Sequence, residues 1–137
     1  AAVSGNYMIV FTGPQGLGLA AYRLSPLGAE EVWAIEHPNR ESSPLVHDGH
    51  VYAVGGGKAS CVDLVSGEIR WQVDAHTDMT SPVVVDGKII SASPEKYTLL
   101  GSANLPVYRC VSPAVADGKL FMRMAAGVKC YDLTAAP

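Results

Sequence analysis

The chain is short of charged residues, aromatic residues and long apolar runs. Charged residues make up 17% and aromatic residues 7% of its 137 residues. No stretch approaches the roughly 18 consecutive apolar residues of a membrane-spanning helix, so we expect no direct membrane insertion. The formal net charge is −3, with no cluster of Lys or Arg. The basic patch that nucleic-acid binding requires is therefore missing, and no nucleic-acid partner is expected.

Cysteine is scarce as well. The three cysteines are Cys61, Cys110 and Cys130, and an odd number argues against a disulfide framework. Their spacings fit no zinc motif. Ordinary small buried residues are the main interpretation, and a single disulfide is the alternative. The first residues show no basic region followed by an apolar run, so no signal peptide is expected within this chain.

Segments with the 3.6-residue period of an α-helix are also lacking. Only residues 25–31 could form a brief helix, and Pro26 and Gly28 within them favour a turn. The chain instead contains 14 Gly and 9 Pro, which is typical of a fold with many turns. The composition therefore favours an all-β fold.

A repeated segment stands out in the remaining sequence. The pattern Ser-Pro-x-x-x-Asp-Gly occurs three times, at residues 43–49, 81–87 and 112–118. The period is 38 residues from Pro44 to Pro82 and 31 from Pro82 to Pro113. Periods of this length indicate a repeat architecture.

A second motif interlocks with the first. A small residue, an apolar residue, Asp and Leu occupy 61–64 and 130–133, with a weaker copy at 21–24. Trp33 lies eleven residues before Pro44, and Trp71 lies eleven residues before Pro82. Both motifs therefore belong to the same repeating unit.

One unit can be read as four short antiparallel strands. Pro44 opens the first strand, where a missing N–H does little harm, and Asp48-Gly49 is a hairpin turn. Further strands are predicted at 50–54, 59–64 and 69–73 from alternating apolar residues. Such a meander at this period predicts a β-propeller blade, with a plain β-sandwich as the second choice.

The repeat predicts about three and a half to four blades in one partial propeller, residues 1–137. The blades are placed at 1–37, 42–74, 80–110 and 111–137. In the first blade strands are predicted at 7–11, 19–24 and 31–36, with 1–3 a remnant of the opening strand. In the third they are predicted near 83–85, 89–92, 97–100 and 105–109. The fourth is expected to end before its last strand.

The segment from Ala59 to Trp71 resembles the signature of the pyrroloquinoline-quinone-like (PQQ-like) repeat family, Ala-x-Asp-x-x-Thr-Gly-x-x-x-Trp. The matching positions, together with partial copies in the first and fourth blades, are Asp63, Ser66, Gly67, Trp71, Trp33 and Asp132. The resemblance implies that Trp71 docks one blade against the next, with the Gly67 turn low enough to fit beneath it. Ligand stacking is the alternative role for Trp33 and Trp71.

The family contains quinoprotein dehydrogenases, which hold PQQ and calcium on the propeller axis, and members without cofactor that serve as scaffolds. Many of the dehydrogenases carry adjacent cysteines, which this chain lacks. Its aspartates Asp48, Asp86 and Asp117 fall in predicted hairpin turns. The resemblance therefore implies a non-catalytic binding scaffold without cofactor, metal or catalytic residues. The alternatives are a piece of a dehydrogenase whose PQQ and calcium ligands lie outside this chain, and a sensor ectodomain.

Other candidate sites are weaker. His47 and His50 with Asp48 could hold a metal, but the equivalent positions in the other units are not histidines. The glycine-rich segment 13–18 resembles a phosphate loop only superficially, because such a loop needs a helix to follow it and residues 19–24 are predicted to form a strand. The irregular segments 93–97 and 104–106 are either binding loops or parts of a degenerate blade.

The family resemblance also implies partners and a location. A protein partner or the remaining blades of a longer propeller, of which this chain would be a C-terminal fragment, is expected. A homo-oligomer that completes the ring is the other possibility. Most of these repeats work outside the cytoplasm, so a periplasmic or otherwise extracytoplasmic location is expected.

Overall fold

The computed structural model describes residues 1–12, 18–38, 42–75, 82, 84–85, 88–89, 114–124 and 126–132. All of its regular elements are strands. They are β1 (Ala2–Ser4), β2 (Tyr7–Thr12), β3 (Gly18–Ser25), β4 (Gly28–Glu36), β5 (Leu45–His47), β6 (His50–Gly55), β7 (Lys58–Asp63), β8 (Ile69–Asp74), β9 (Val84–Val85), β10 (Lys88–Ile89), β11 (Ala114–Ala116), β12 (Lys119–Met124) and β13 (Gly127–Asp132).

The strands form antiparallel meanders in chain order. Two complete four-stranded sheets have the orders β1-β2-β3-β4 and β5-β6-β7-β8, and we call them the first and second sheets. The hairpin β9-β10 and the three-stranded sheet β11-β12-β13 follow. The predicted all-β fold of four-stranded propeller blades is thereby confirmed. No helix in the described part of the chain has the length and apolarity needed to cross a membrane.

The Asp-Gly pairs form the predicted tight turns. Asp48 and Gly49 have φ values of 45° and 72°, and Asp117 and Gly118 have 51° and 67°. Two central residues with positive φ define the hairpin turn whose twist matches that of the flanking strands. Asp86-Gly87, the third copy, lies outside the described residues.

The first sheet is more complete than the sequence indicates. Residues 1–3 are predicted as a strand remnant, but β1 pairs fully with β2, from Ala2 opposite Ile9 to Ser4 opposite Tyr7. Gly5 enables the tight turn between them with a φ of 57°. The segment lacks the Ser-Pro and Asp-Gly signals, and a Gly at the first central turn position replaces them.

The later blades are described only in part. The β9-β10 hairpin agrees with the first two strands predicted for the third blade, and the strands predicted at 97–100 and 105–109 lie outside the described residues. The described part of the fourth blade has three strands, β11 to β13, and residues 133–137 lie outside the described residues. The predicted blade boundaries remain a prediction.

The hydrophobic core lies between the first and second sheets. Both contribute buried residues to one cluster: Ile9, Leu19, Ala21 and Trp33 from the first, and Val51, Ala53, Val62 and Leu64 from the second. The innermost strands β1 and β5 lie side by side. Neither sheet buries this face alone, so the two stabilise each other as neighbouring repeats do.

The face by which the first sheet packs against the second has an equivalent on the second sheet. Cys61 lies opposite both Tyr52 and Trp71, just as Ala21 lies opposite both Ile9 and Trp33 in the first sheet. The side chains of Tyr52 and Cys61 form a second buried cluster with Trp71 packed against it. The second sheet thus presents the same docking face away from the first sheet.

The cysteines divide by environment. Cys61 is buried and free, as expected for a small core residue. Cys130 occupies the equivalent position in the fourth blade, opposite Phe121, but it is exposed and free, which corrects the expectation of burial. In the second sheet β8 and Trp71 cover this position, and the described part of the fourth blade has no such strand. Cys110 lies outside the described residues.

Truncating a buried valine should lower the free energy of unfolding more than truncating an exposed valine does. We expect Val62→Ala to lower the free energy of unfolding by about 2 kcal/mol, because it leaves a cavity between the two sheets. Val128→Ala is the matched control: Val62 is 0% exposed and Val128 is 71% exposed. The control should change stability by less than about 0.5 kcal/mol. Urea unfolding of both variants checks this, and equal losses would place the core elsewhere.

Candidate functional site

The junction of the first two sheets is organised by the indole of Trp33. The ring lies directly on the backbone of Gly67, so that a Cβ added to Gly67 would come within 2.6 Å of Cγ of Trp33. The indole Nε1–H donates a buried hydrogen bond of 2.9 Å to the carbonyl oxygen of Leu64. Only glycine therefore fits at position 67, because any side chain would overlap the indole.

A β-bulge precedes the tryptophan in each sheet. Ala21 pairs with Trp33 while Tyr22 pairs with Glu31, which leaves Val32 as an extra residue. The second sheet repeats the irregularity between Cys61 and Val62, where Arg70 is the extra residue before Trp71. Bulges re-aim side chains and increase local twist. The same local distortion thus accompanies the tryptophan in both sheets.

The turn beneath Trp33 is shaped by Asp63. Its carboxylate Oδ1 accepts hydrogen bonds from the N–H groups of Val65 (3.1 Å) and Ser66 (2.9 Å), and from the Ser66 hydroxyl (2.9 Å). Arg70 lies 3.4 Å from Oδ2. The hydrogen bonds from the Ser66 backbone and hydroxyl are the main reason why the pKa of Asp63 falls to about 2. The ionised carboxylate therefore sets the path of the turn.

Backbone hydrogen bonds hold this turn in place. The N–H of Gly67 donates to the Asp63 carbonyl at 3.0 Å, and the N–H of Leu64 donates to the Gly49 carbonyl at 2.9 Å. The Asp63 turn is thereby tied to the Asp48-Gly49 turn. Together these bonds fix both groups that receive the indole, the Gly67 backbone and the Leu64 carbonyl.

The first sheet builds the equivalent turn differently. Arg23 stands in place of the aspartate, and its guanidinium donates to the Tyr7 hydroxyl at 3.2 Å and lies 5.6 Å from the Tyr7 ring centroid. The Ser25 hydroxyl accepts the N–H of Leu27 at 3.2 Å instead. The segment predicted to be a turn rather than a helix is indeed a turn, with Gly28 at a φ of 139°.

The structure corrects the partner of Gly67. The family resemblance implies that the Gly67 turn lies under Trp71, but the ring it carries is Trp33 of the preceding sheet. The reason is strand geometry: Trp71 lies opposite Cys61, on the face turned away from Leu64. There it stacks near Tyr52, with ring centroids 6.3 Å apart. The tryptophan of the first sheet therefore docks onto the β7–β8 turn of the second sheet.

The remaining motif residue and the weaker candidates fall elsewhere. Asp132 ends β13 opposite Lys119, and the residues after it lie outside the described part of the chain. His47 Nε2 lies 3.3 Å from an Asp48 carboxylate oxygen, and His50 Nδ1 lies 2.7 Å from the Asp48 carbonyl. Among the described residues, no three His, Cys, Asp or Glu side chains converge as metal ligands do.

The glycine-rich segment does not lead into a helix. Gly18, its last residue, begins the strand β3, and residues 13–17 lie outside the described residues. A phosphate loop relies on the N-terminal amides of a following helix. The strand predicted after this segment, in place of the helix of a phosphate loop, is therefore confirmed.

One rim of the two sheets carries an exposed surface. Leu24 N–H donates to the Asn6 carbonyl just as Leu64 N–H donates to the Gly49 carbonyl, so the turns after the first and third strands share this rim. We call it the turn rim. The exposed apolar side chains of the turn rim are Leu27, Val65 and Ile69. In the sequence, nothing marks them as exposed residues except that they lie in or beside turns. The carboxylates of Glu30, Glu31 and Glu68 are exposed near them.

Alanine substitutions at two glycines should isolate the contact with Trp33. Gly49 and Gly67 have nearly the same φ, 72° and 75°, but a Cβ at Gly49 would meet no atom within 4 Å. We expect Gly49→Ala to cost about 1–2 kcal/mol from backbone strain alone. Gly67→Ala should cost about 1–3 kcal/mol more, because the methyl group overlaps the indole. Urea unfolding measures both, and equal losses would mean that Trp33 does not need glycine there.

The charge of Asp63 should stabilise the fold in a defined pH range. We expect Asp63→Asn to cost about 1 kcal/mol at pH 7. Because the folded pKa of about 2 lies below the ordinary 3.8, the difference from wild type is full above about pH 4 and shrinks as the pH falls toward 2. Urea unfolding from pH 6 to pH 2 measures it.

The control for that prediction is Glu68→Gln. Glu68 is the other carboxylate near Arg70, at 3.4 Å, but its side chain accepts no hydrogen bond from the turn. An exposed ion pair of this kind contributes little, so the loss should stay below about 0.5 kcal/mol. A loss as large as that of Asp63→Asn would assign the effect to Arg70 pairing rather than to the turn.

Two solved structures share this arrangement of sheets. The crystal structure of BamB from Moraxella catarrhalis matches with a TM-score of 0.67 and 16% identity, over 95% of this chain and 44% of that chain. A europium-containing methanol dehydrogenase matches with a TM-score of 0.52 and 14% identity, over 96% of this chain and 22% of that chain. This chain therefore spans less than half the length of either.

No family model and no curated protein matches the sequence. At such low identities the likeness concerns the fold and leaves the activity open. Both neighbours are propellers of PQQ-like repeats, and the likeness in fold extends over 95% and 96% of this chain. The chain therefore has the fold of a β-propeller segment and is similar in fold to these two propellers.

Proposed function

We propose that the chain is a non-catalytic scaffold whose turn rim binds an extended segment of a partner protein. This proposal rests on the observation that the aspartates of the turns serve to build the turns themselves. The carboxylate of Asp63 is engaged by its own turn, and Asp48 occupies the left-handed position of a hairpin. These groups support the scaffold, while exposed apolar side chains remain at the same rim.

The chemistry of the turn rim indicates the partner. Leu27 is 99% exposed, Val65 60% and Ile69 44%, and apolar side chains exposed together at one rim can serve as a binding surface. Carboxylates are exposed beside them, and Arg70 already lies near Glu68 and Asp63. A segment that alternates aliphatic and basic residues would complement both features. Turns on a rigid sheet also suit binding.

A second candidate is a piece of a PQQ-dependent dehydrogenase, favoured by the likeness to the methanol dehydrogenase. The described residues do not fit PQQ with a metal ion. Asp63 is committed to its turn, and the carboxylates of β4 lie exposed along an outer strand. If this candidate is correct, the cofactor must be held by blades outside this chain, and no reaction step is assigned to residues within it.

The remaining blades of a longer propeller, or those of a second copy, are a further proposed partner. Cys130 and Phe121 lie on the face of the fourth blade that corresponds to the docking face of the second sheet. The exposure of Cys130 leaves this face open to another blade. We also propose an extracytoplasmic location, in line with the PQQ-like repeat resemblance.

Peptide binding tests the scaffold proposal. We expect an extended peptide of alternating Leu and Lys to bind the 137-residue chain, measured by calorimetry, and a Leu and Glu peptide not to bind. Val65→Ser and Ile69→Ser together should weaken binding at least tenfold, because they remove apolar contact without changing charge. Val128→Ser, at an exposed valine of the fourth blade, should leave the affinity unchanged.

Other outcomes would point elsewhere. Equal loss in the Val128→Ser control would mean that binding is not located at the turn rim, and unchanged affinity in the variant with Val65→Ser and Ile69→Ser would mean that the apolar side chains of the rim do not bind the peptide. Titration of the chain with PQQ and calcium provides the second comparison. Saturable binding of PQQ with dye-linked oxidation of methanol would replace the scaffold proposal with the dehydrogenase.

A further inference from the structure

A histidine closes the junction of the first two sheets at the end away from Trp33. His37 directly follows β4 and is fully buried. Its ring lies 5.7 Å, centroid to centroid, from that of Phe11 on β2. Gly56 and Gly67 lie near opposite ends of β7. Each contacts a residue of β4 or of the segment that directly follows β4. The junction is therefore fastened at two separated points.

The contact at this second point is as tight as the first. Pro38 lies on Gly56, where an added Cβ would come 2.6 Å from the Pro38 Cβ and 3.1 Å from its carbonyl carbon. Gly56 has a φ of 57°, which also favours glycine. His37 is thereby held between Phe11 of the first sheet and the β6–β7 hairpin of the second.

The hydrogen bonding of His37 defines its protonation state. Nδ1 lies 2.9 Å from the Pro38 carbonyl oxygen, and a carbonyl oxygen can only accept, so Nδ1 carries the proton of the neutral ring. Nε2 is buried and has no hydrogen-bond partner among the described residues. We infer that His37 is a proton-sensitive latch: the neutral imidazole closes the junction between the first two sheets, and its protonation opens it.

The surroundings of the ring support this inference. Burial is the dominant cause that lowers the pKa of His37, and the carbonyls of Pro38 and Ala53 oppose it only in part. No charged side chain of the described residues contributes to the shift. With respect to these residues, an added proton would therefore be a buried charge without a counter-ion, which is costly.

The titratable groups on the elements packed around His37 are few. Glu36 precedes it on β4 and is exposed. Tyr52 lies on β6 and faces the other side of the second sheet, in the cluster with Cys61. Lys58, after the β6–β7 turn, pairs with Asp74 at 2.8 Å. Among the described residues, none of these supplies the missing counter-charge.

The pH range of the effect follows from the direction of the shift. The pKa of His37 in the folded chain lies below its ordinary value of 6.5, so the unfolded or opened chain takes up the proton first. Stability from the closed junction is full above about pH 6.5 and is lost as the pH falls toward the lowered pKa. This range is separate from that of Asp63, which lies below about pH 4.

Unfolding in urea between pH 8 and pH 5 tests the latch on the 137-residue chain. We expect the unfolding equilibrium constant to rise below pH 6.5, approaching the tenfold per pH unit that uptake of one proton allows. His37→Gln should remove this rise, because glutamine does not titrate. His47→Gln and His50→Gln, which replace histidines at the Asp48-Gly49 turn, should retain it. An unchanged pH dependence in His37→Gln would overturn the inference.

A local measurement distinguishes opening of the junction from general acid sensitivity. The indole N–H of Trp33 is hydrogen-bonded across the junction to Leu64, and Trp71→Phe leaves it as the only indole in the chain. We expect its protection from hydrogen exchange to fall on acidification in that variant and to stay constant when His37→Gln is added. Constant protection in both would contradict the inference.

A measurement on the wild-type chain keeps the test decisive if His37→Gln does not fold. The ring proton signals of His37 in the NMR spectrum report its titration directly. We expect the imidazole to remain neutral well below pH 6.5 and to gain its proton together with the loss of Trp33 indole protection. Titration at or above pH 6.5 with the junction still closed would rule out the latch.

Discussion

The contact between the Trp33 indole and the Gly67 backbone is the interaction on which the arrangement of the two sheets depends. The indole reaches across the junction, its Nε1–H binds the Leu64 carbonyl, and the missing side chain of Gly67 lets the ring lie on the backbone. Each sheet is a narrow meander with too little apolar surface of its own, so stability comes from the face shared with its neighbour. Trp33 therefore fixes the distance between the two sheets at this end of their junction.

Several local features support that contact. Asp63 shapes the turn through its carboxylate, the Leu64 amide ties the turn to the Asp48-Gly49 hairpin, and the bulge at Val32 lies beside the tryptophan. As a consequence, the carboxylate and the amides of this turn are engaged in hydrogen bonds within the sheet. The exposed part of the turn rim is then apolar and acidic, which is the basis of the proposed protein-binding role.

The two fastenings of the junction differ in chemistry. At one end an indole, which carries no charge at any pH, is held by a neutral hydrogen bond. At the other end a buried imidazole is held only in its neutral form. The same interface thus combines a permanent contact with one that responds to protons. Because the turn rim is built by turns of both sheets, opening of the junction would also alter the binding surface.

The sequence alone determined the repeat, the all-β meander and most strand positions, because Asp-Gly turns, alternating apolar residues and the regular spacing of Pro and Trp are local signals. It also identified Asp63, Gly67 and Trp33 as motif residues. Only the tertiary structure decided that Gly67 receives Trp33 rather than Trp71. It also showed that Cys130 is exposed and that His37 is buried. Strand alternation assigns a residue to a face but does not say which neighbour covers that face, and burial at a junction depends on residues far apart in the chain.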